Sequence, residues 1–231
     1  MLKIIKFSGL ALLALLIATV PVLASTVTYT TLSSFTTATT GVTDQNFDST
    51  AVGTIAPGDG SSSGTVGTLS FTANIAGDDL AATSGFNTTS GSNYLGTTNF
   101  NTFASQDNFT VTLPSSSAIG LYLLAGGPLA AGEFTLSVAG GSAVNSAIPE
   151  TTLGDGTVVY FLGLTSDSNF TSATLKVTTP AGPADGPYWN VDDIRYGTAL
   201  TTTPPPAVPE PASLLLIGSG LLGVVRRIRK A

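Results

Sequence analysis

Apolar and polar residues alternate with a period of two along most of the chain. Leu69, Phe71, Ala73 and Ile75 are separated by Ser, Thr and Asn, and the same rhythm carries Phe109, Val111 and Leu113. It returns at Phe134, Leu136 and Val138, and again at Ala173, Leu175 and Val177. Successive side chains of a strand point to opposite faces, so each run predicts a strand with one face on a core. "AIGLYLLA" (Ala118–Ala125) and "TVVYFLGL" (Thr157–Leu164) are apolar on both faces and predict central strands. Gly, Asn, Asp and Pro cluster between the runs, as in "APGDGSSSG" (Ala56–Gly64) and "AGGPLAAG" (Ala125–Gly132), and predict turns. No helical period stands out; a single helical turn is expected at Asp78–Ala82. About ten short strands at this spacing predict an all-β fold, a single jelly-roll-like β-sandwich.

Both ends depart from this rhythm. At the N-terminus Lys3 and Lys6 precede an apolar run, Phe7–Val20, and Val22-Leu23-Ala24 offers a cleavage site between Ala24 and Ser25. These are the three parts of a secretory signal, so residues 1–24 are expected to form a signal-peptide helix that secretion machinery and signal peptidase act on. At the C-terminus a second apolar run, Ala212–Val225, precedes Arg226, Arg227, Arg229 and Lys230. As a helix it would cover about 21 Å against a hydrocarbon core of roughly 30 Å, marginal for a permanent anchor. The basic cluster would act as a membrane stop held on the cytoplasmic side, leaving everything before it outside. The expected organisation is therefore signal peptide 1–24, β-sandwich ectodomain 25–200, Pro-rich linker 201–207 and hydrophobic tail segment 208–231. The linker, rich in consecutive prolines, is expected to be stiff and extended.

Charge sharpens this division. The whole chain carries −6, yet Lys176 and Arg195 are the only cations between Ser25 and Thr203, against thirteen carboxylates, a formal charge of −11 for that span. Such a surface repels nucleic acid and anionic headgroups, and nucleic-acid binding is not expected. The chain has neither Cys nor His, which removes disulfides, thiol chemistry, imidazole metal ligands and His-dependent triads.

The tail residues carry a specific resemblance. Val208-Pro209-Glu210-Pro211, a Gly-punctuated apolar helix and Arg226-Arg227 follow one another in order. This segment resembles the PEP-CTERM sorting domain of Gram-negative bacteria. The resemblance implies processing near Pro209-Glu210-Pro211 by an exosortase, a membrane-embedded cysteine transpeptidase-like enzyme. It also implies a host that makes exopolysaccharide, transient anchoring in the inner membrane, and then release to the cell surface or beyond. The body is similar to other ectodomains that carry this tail: Phe47-Asp48 followed by Val52-Gly53, the "AIGLYLLA" strand, "YFLGLTSDSNFTSATLKV" (Tyr160–Val177) and a last strand "WNVDDIRYG" (Trp189–Gly197). That similarity bears on fold and not on chemistry.

Chemistry is sparse. On a regular last strand, Trp189, Val191 and Asp193 share one face while Asn190, Asp192, Ile194 and Tyr196 share the other, so an aspartate falls in phase with apolar neighbours on either face. A buried carboxylate needs a cation or several donors. A calcium ion, taking about six to eight oxygen ligands, would recruit Asp48 or Asp44 with Asp192 or Asp193. A bulge that turns the aspartate outward, or hydrogen bonds to backbone or to Arg195, would serve as well. For catalysis there remains a carboxylate pair, as in glycoside hydrolysis. Glu133, at a strand start, and Glu150, in a loop, are the only glutamates before the tail, and nothing in sequence brings them together. No catalytic residue is assigned and no enzyme is expected. Tyr188 and Trp189 offer a sugar platform, as do Tyr94 and Phe100 in an Asn/Thr-rich loop. The expected role is structural or adhesive, in an exopolysaccharide setting such as a biofilm matrix. A calcium-assisted, lectin-like carbohydrate-binding module is the alternative, ahead of a glycoside hydrolase.

Overall fold

The computed structural model describes residues 25–75, 77–104, 106–178 and 188–200. The expected signal peptide and its cleavage site up to Ala24, the Pro-rich linker and the tail segment lie outside the described residues. All described structure falls in the first of two units, Met1–Leu200.

Thirteen strands and one short helix make up the described residues. In chain order they are β1 (Thr26–Tyr29), α1 (Leu32–Thr37), β2 (Thr39–Gln45), β3 (Gly53–Ala56), β4 (Gly64–Val66) and β5 (Leu69–Asn74). Then come β6 (Leu80–Ser84), β7 (Asn93–Thr97), β8 (Asn108–Ala125), β9 (Phe134–Val138) and β10 (Gly141–Val144). β11 (Thr151–Thr152), β12 (Val158–Val177) and β13 (Trp189–Ala199) complete the set. Every pairing is antiparallel.

The all-β expectation holds, and the sandwich description fits it broadly, but its construction differs from a set of ten short strands. The runs around Phe109 and Ile119 are one strand of 18 residues, β8, and those around Phe161 and Leu175 are one strand of 20, β12. The two lie side by side, and their register shifts between Thr165 and Ser172, opposite Ala118–Thr112. On one side of that irregularity β5 and β9 flank the pair, with β4 beyond β5 and β10 beyond β9. On the other side β1 and β11 flank β12, and β13 flanks β8. β13 then pairs with β2 and, through Val191, with β7, which leads to β6 and β3. A register shift of this kind bends a strand, so one pair of strands serves both halves of the fold.

Two hydrophobic clusters explain the apolar-both-faces pattern. Ile119, Leu121 and Leu123 of β8 and Tyr160, Leu162 and Leu164 of β12 point into the main core, where Phe71, Phe109, Phe134 and Trp189 also lie. Ala118 and Phe161 point the other way, into a small second cluster closed by Phe35 of α1 and bordered by Tyr29, Leu32 and Tyr122. Thr31 caps that helix, accepting from the Ser34 amide, and Glu150 accepts from the Leu32 amide at 3.2 Å and 3.3 Å. The helix is too short to show a period in sequence, which is why it was not expected. Asp78–Ala82 is not helical: Leu80–Ala82 belong to β6, paired with β7 on one side and β3 on the other. Its buried residues Leu80, Ala81 and Ala82 have pairing partners on both neighbours, which a lone helical turn could not provide.

Candidate functional site

β13 is built around a bulge. Asp192 pairs with Tyr122 of β8 and Arg195 with Gly120, so β13 carries one residue more than β8 across that interval. Asp193 sits there with φ 51°, a left-handed conformation that aspartate tolerates better than most residues. The extra residue flips the phase of the strand. Trp189, Val191, Ile194 and Tyr196 all reach the main core, which corrects the regular-strand expectation that they divide between two faces. Asp192 and Arg195 fall on the opposite face, where Arg195 lies 5.5 Å from the Tyr122 ring centroid and 2.8 Å from Asp44.

Asp192 and Asp193 are nonetheless buried. A loop between β6 and β7 covers them and supplies the donors. Asp192 Oδ2 accepts from the amide and hydroxyl of Thr89 at 3.0 Å and 2.8 Å and from the Ser90 amide at 3.2 Å. Its Oδ1 accepts from the Asp193 amide at 2.9 Å. Asp193 accepts from the Ser90 hydroxyl at 2.7 Å and the Thr89 hydroxyl at 3.0 Å, and Arg195 stands 3.4 Å away. Asp48 grips the same loop from its other end, accepting from the Ser92 and Asn93 amides at 2.8 Å and 3.3 Å. Gly91 makes this possible. Its φ is +48°, and a Cβ there would lie 1.9 Å from Asp48 Oδ1.

The three aspartates proposed as calcium ligands therefore do converge, but on a loop. Their oxygens are met by N–H and O–H donors and, at Asp193, by the Arg195 guanidinium. Among the described residues, no three acidic side chains are grouped so as to hold a metal ion. Burial, and secondarily the neighbouring Asp193 charge, push Asp192 up to about 7, against the hydrogen bonds from Thr89, Ser90 and Asp193.

The aromatic candidates separate cleanly. Trp189 is fully buried, stacked on Phe103 at 4.2 Å with its Nε1 donating to the Ala104 carbonyl at 3.0 Å. It cannot serve as a sugar platform, and neither can Tyr94, which is also fully buried. Both correct the sequence expectation: the β13 and β7 backbones turn these rings into the core. Tyr188 and Phe100, in contrast, are 57% and 74% exposed, and they border a common hollow of about 330 Å³ together with Phe86, 46% exposed. Leu124, Ala125 and Asn190 also line it. Phe86 has no signal in sequence, since a single Phe in a Gly/Asn/Thr loop does not announce which strand end it will meet. A second hollow of about 170 Å³ shares Phe100 and Tyr188 and is lined further by Asp78 and Asp107.

Glu133 and Glu150 have local duties. Glu133 accepts from the Ala130 amide at 2.9 Å in the turn before β9, and Glu150 holds the start of α1.

Comparison with known proteins adds one assignment. The family described as the PEP-CTERM protein-sorting motif matches residues 207–230, the segment singled out from Val208-Pro209-Glu210-Pro211 and the basic end. No curated protein matches the chain. Among solved structures, the catalytic domain of a GH87 alpha-1,3-glucanase in complex with tetrasaccharides is similar at 18% identity, over 75% of this chain and 30% of that one, with a TM-score of 0.29. A likeness that slight supports no statement about this chain. Among the described residues no helix is long and apolar enough to cross a membrane.

Proposed function

We propose that this chain, which carries a PEP-CTERM protein-sorting motif, is an exported, exosortase-processed protein of the cell surface or extracellular matrix, with a structural or adhesive role within or upon exopolysaccharide. The observation that carries the reading is the sorting motif over residues 207–230 behind an all-β, strongly acidic body. The signal peptide brings the chain to the membrane, the apolar tail arrests it there, and the basic cluster of Arg226, Arg227, Arg229 and Lys230 sets its direction. Exosortase then acts near Pro209-Glu210-Pro211, and the body leaves the membrane. The role is non-enzymatic in this reading. Several of the body's carboxylates accept from its own loops, as Asp48, Asp78, Asp192 and Asp193 do.

Replacing Pro209, Glu210 and Pro211 by alanine in the full chain tests the sorting step. The variant is expected to accumulate at full length in the membrane fraction, while the wild-type chain appears outside the cell in shortened form. Equal shortening and export of both would overturn the reading.

A further inference from the structure

The pattern Asn-x-Thr occurs three times, at Asn87-Thr88-Thr89, Asn108-Phe109-Thr110 and Asn169-Phe170-Thr171. It is the acceptor pattern for oligosaccharide transfer to asparagine: the carboxamide takes the sugar, and the hydroxyl two residues on marks the site for the transferring enzyme. A usable acceptor combines an exposed asparagine, a free hydroxyl and a backbone that an active site can reach.

The structure separates the three. The Thr89 hydroxyl is bound to Asp192 at 2.8 Å and to Asp193 at 3.0 Å, so the first site has lost the group that marks it. Asn108 is paired with Asn74 on one side and Lys176 on the other, inside the sheet, and the Thr110 hydroxyl is bonded to that of Thr174 at 2.8 Å. At the third, Asn169 and Thr171 are both exposed, and among the described residues no hydrogen bond engages either side chain. Phe170 between them is 3% exposed and held in the main core, so the strand's own alternation turns the acceptor pair outward.

The backbone is available too. β12 takes five steps from Thr165 to Phe170 while β8 takes two from Ala118 to Ser116, so residues 166–169 bow out of the ladder. On its other side β12 pairs with β1 only up to Ser166 and with β9 only from Ala173. The Asp167 amide bonds the Ser25 carbonyl, and beyond it residues 168–172 run with that edge unpaired by any described strand. Asp167, also exposed, stands two residues before Asn169, where Asn87 has Gly85 and Asn108 has Gln106. Of the three sites, this one alone carries a carboxylate there, a handle for a cationic group on the transferring enzyme.

We propose that Asn169 is an oligosaccharide attachment site whose donor is a sugar chain on a polyprenyl diphosphate. The Asn169 carboxamide nitrogen attacks the anomeric carbon of the donor. The bond from that carbon to the diphosphate oxygen breaks, and polyprenyl diphosphate leaves with the bonding pair. The nitrogen gives up one proton to a base of the transferring enzyme, and an N-glycosidic bond remains. The inference rests on the exported reading above, because the acceptor meets a lipid-linked donor at the membrane it crosses. A glycan on this bow covers the open edge at residues 168–172, whose backbone groups would otherwise be offered to a neighbouring chain.

The test is mass spectrometry of the chain recovered from the medium and the membrane fraction of its producing cells. Cleavage before aspartate yields residues 167–184 as one peptide. That peptide is expected to carry added sugar mass on Asn169 in most molecules. Asn169→Gln and Thr171→Val are each expected to abolish the addition, Thr171→Ser to keep it, and Asn87→Gln and Asn108→Gln to leave it unchanged. Asn169 and Thr171 are exposed, so a thermal melt should show wild-type folding for their variants. Sugar mass that survives Thr171→Val, or that sits on Asn87 or Asn108 instead, would overturn the site. A shortened, extracellular chain with bare Asn169 overturns the site alone. A chain glycosylated at Asn169 but held at full length in the membrane overturns the sorting reading alone.

Discussion

Asp192 illustrates how much a single buried carboxylate can dictate. Four donors hold it in place, yet burial and the adjacent Asp193 raise it to about 7. In the unfolded chain the same group releases its proton near pH ~3.9. Between those values the folded state binds more protons than the unfolded one, so this contribution to stability is full below pH ~4. It is lost as the pH rises to about 7, and flat above that. Equilibrium unfolding measured from pH 4 to 9 should show this decline, and Asp192→Asn should abolish it while keeping the Oδ2 acceptor for Thr89 and Ser90. Asp192→Ala would strand the Thr89, Ser90 and Asp193 amides and should cost about 2–4 kcal/mol at pH 4, and less as the pH rises and the wild-type contribution is lost. Because protein donors compensate Asp48, Asp192 and Asp193, neither calcium nor a chelator should shift the melting temperature of the full chain. A calcium-dependent rise would contradict the loop-clasp geometry.

The strands were largely legible in sequence, and the places where they were not have physical causes. Alternation at Phe71, Phe109, Phe134 and Leu175 correctly predicts which faces meet the core, because burial imposes period two on any half-exposed strand. It says nothing about where a strand bends or bulges. The continuity of β8 and β12 through Pro114–Ser117 and Asp167–Thr171 was hidden for that reason, and so was the phase flip at Asp193. The apolar-both-faces pattern of Ala118–Ala125 did predict double burial, but not that α1 would provide the second cover. Gly120 and Gly163 sit directly opposite one another beneath that cover. A Cβ at Gly120 would lie 2.5 Å from the Phe161 ring, and one at Gly163 would lie 2.7 Å from it and 2.9 Å from Phe35. The missing side chains make room for the aromatic pair, whose centroids are 5.4 Å apart. Gly120→Ala or Gly163→Ala should therefore cost about 1–3 kcal/mol by overpacking, read as a lower midpoint in urea with an unchanged slope. The aromatic groove was only half legible. Tyr188 and Phe100 were visible as candidates, but which rings turn inward depends on backbone pairing that sequence does not display.

At the scale of the molecule, composition and organisation point the same way. A body with two cations and a formal charge of −11 over residues 25–203 suits life outside the cell, away from nucleic acid and anionic membrane surface. The sorting motif at residues 207–230 supplies the route there. The most direct measurement is intact-mass spectrometry of the protein recovered outside its producing cells. The account predicts a chain that begins at Ser25 and has lost its C-terminal segment near Pro209-Glu210-Pro211. An extracellular chain that still runs to Ala231 would contradict it.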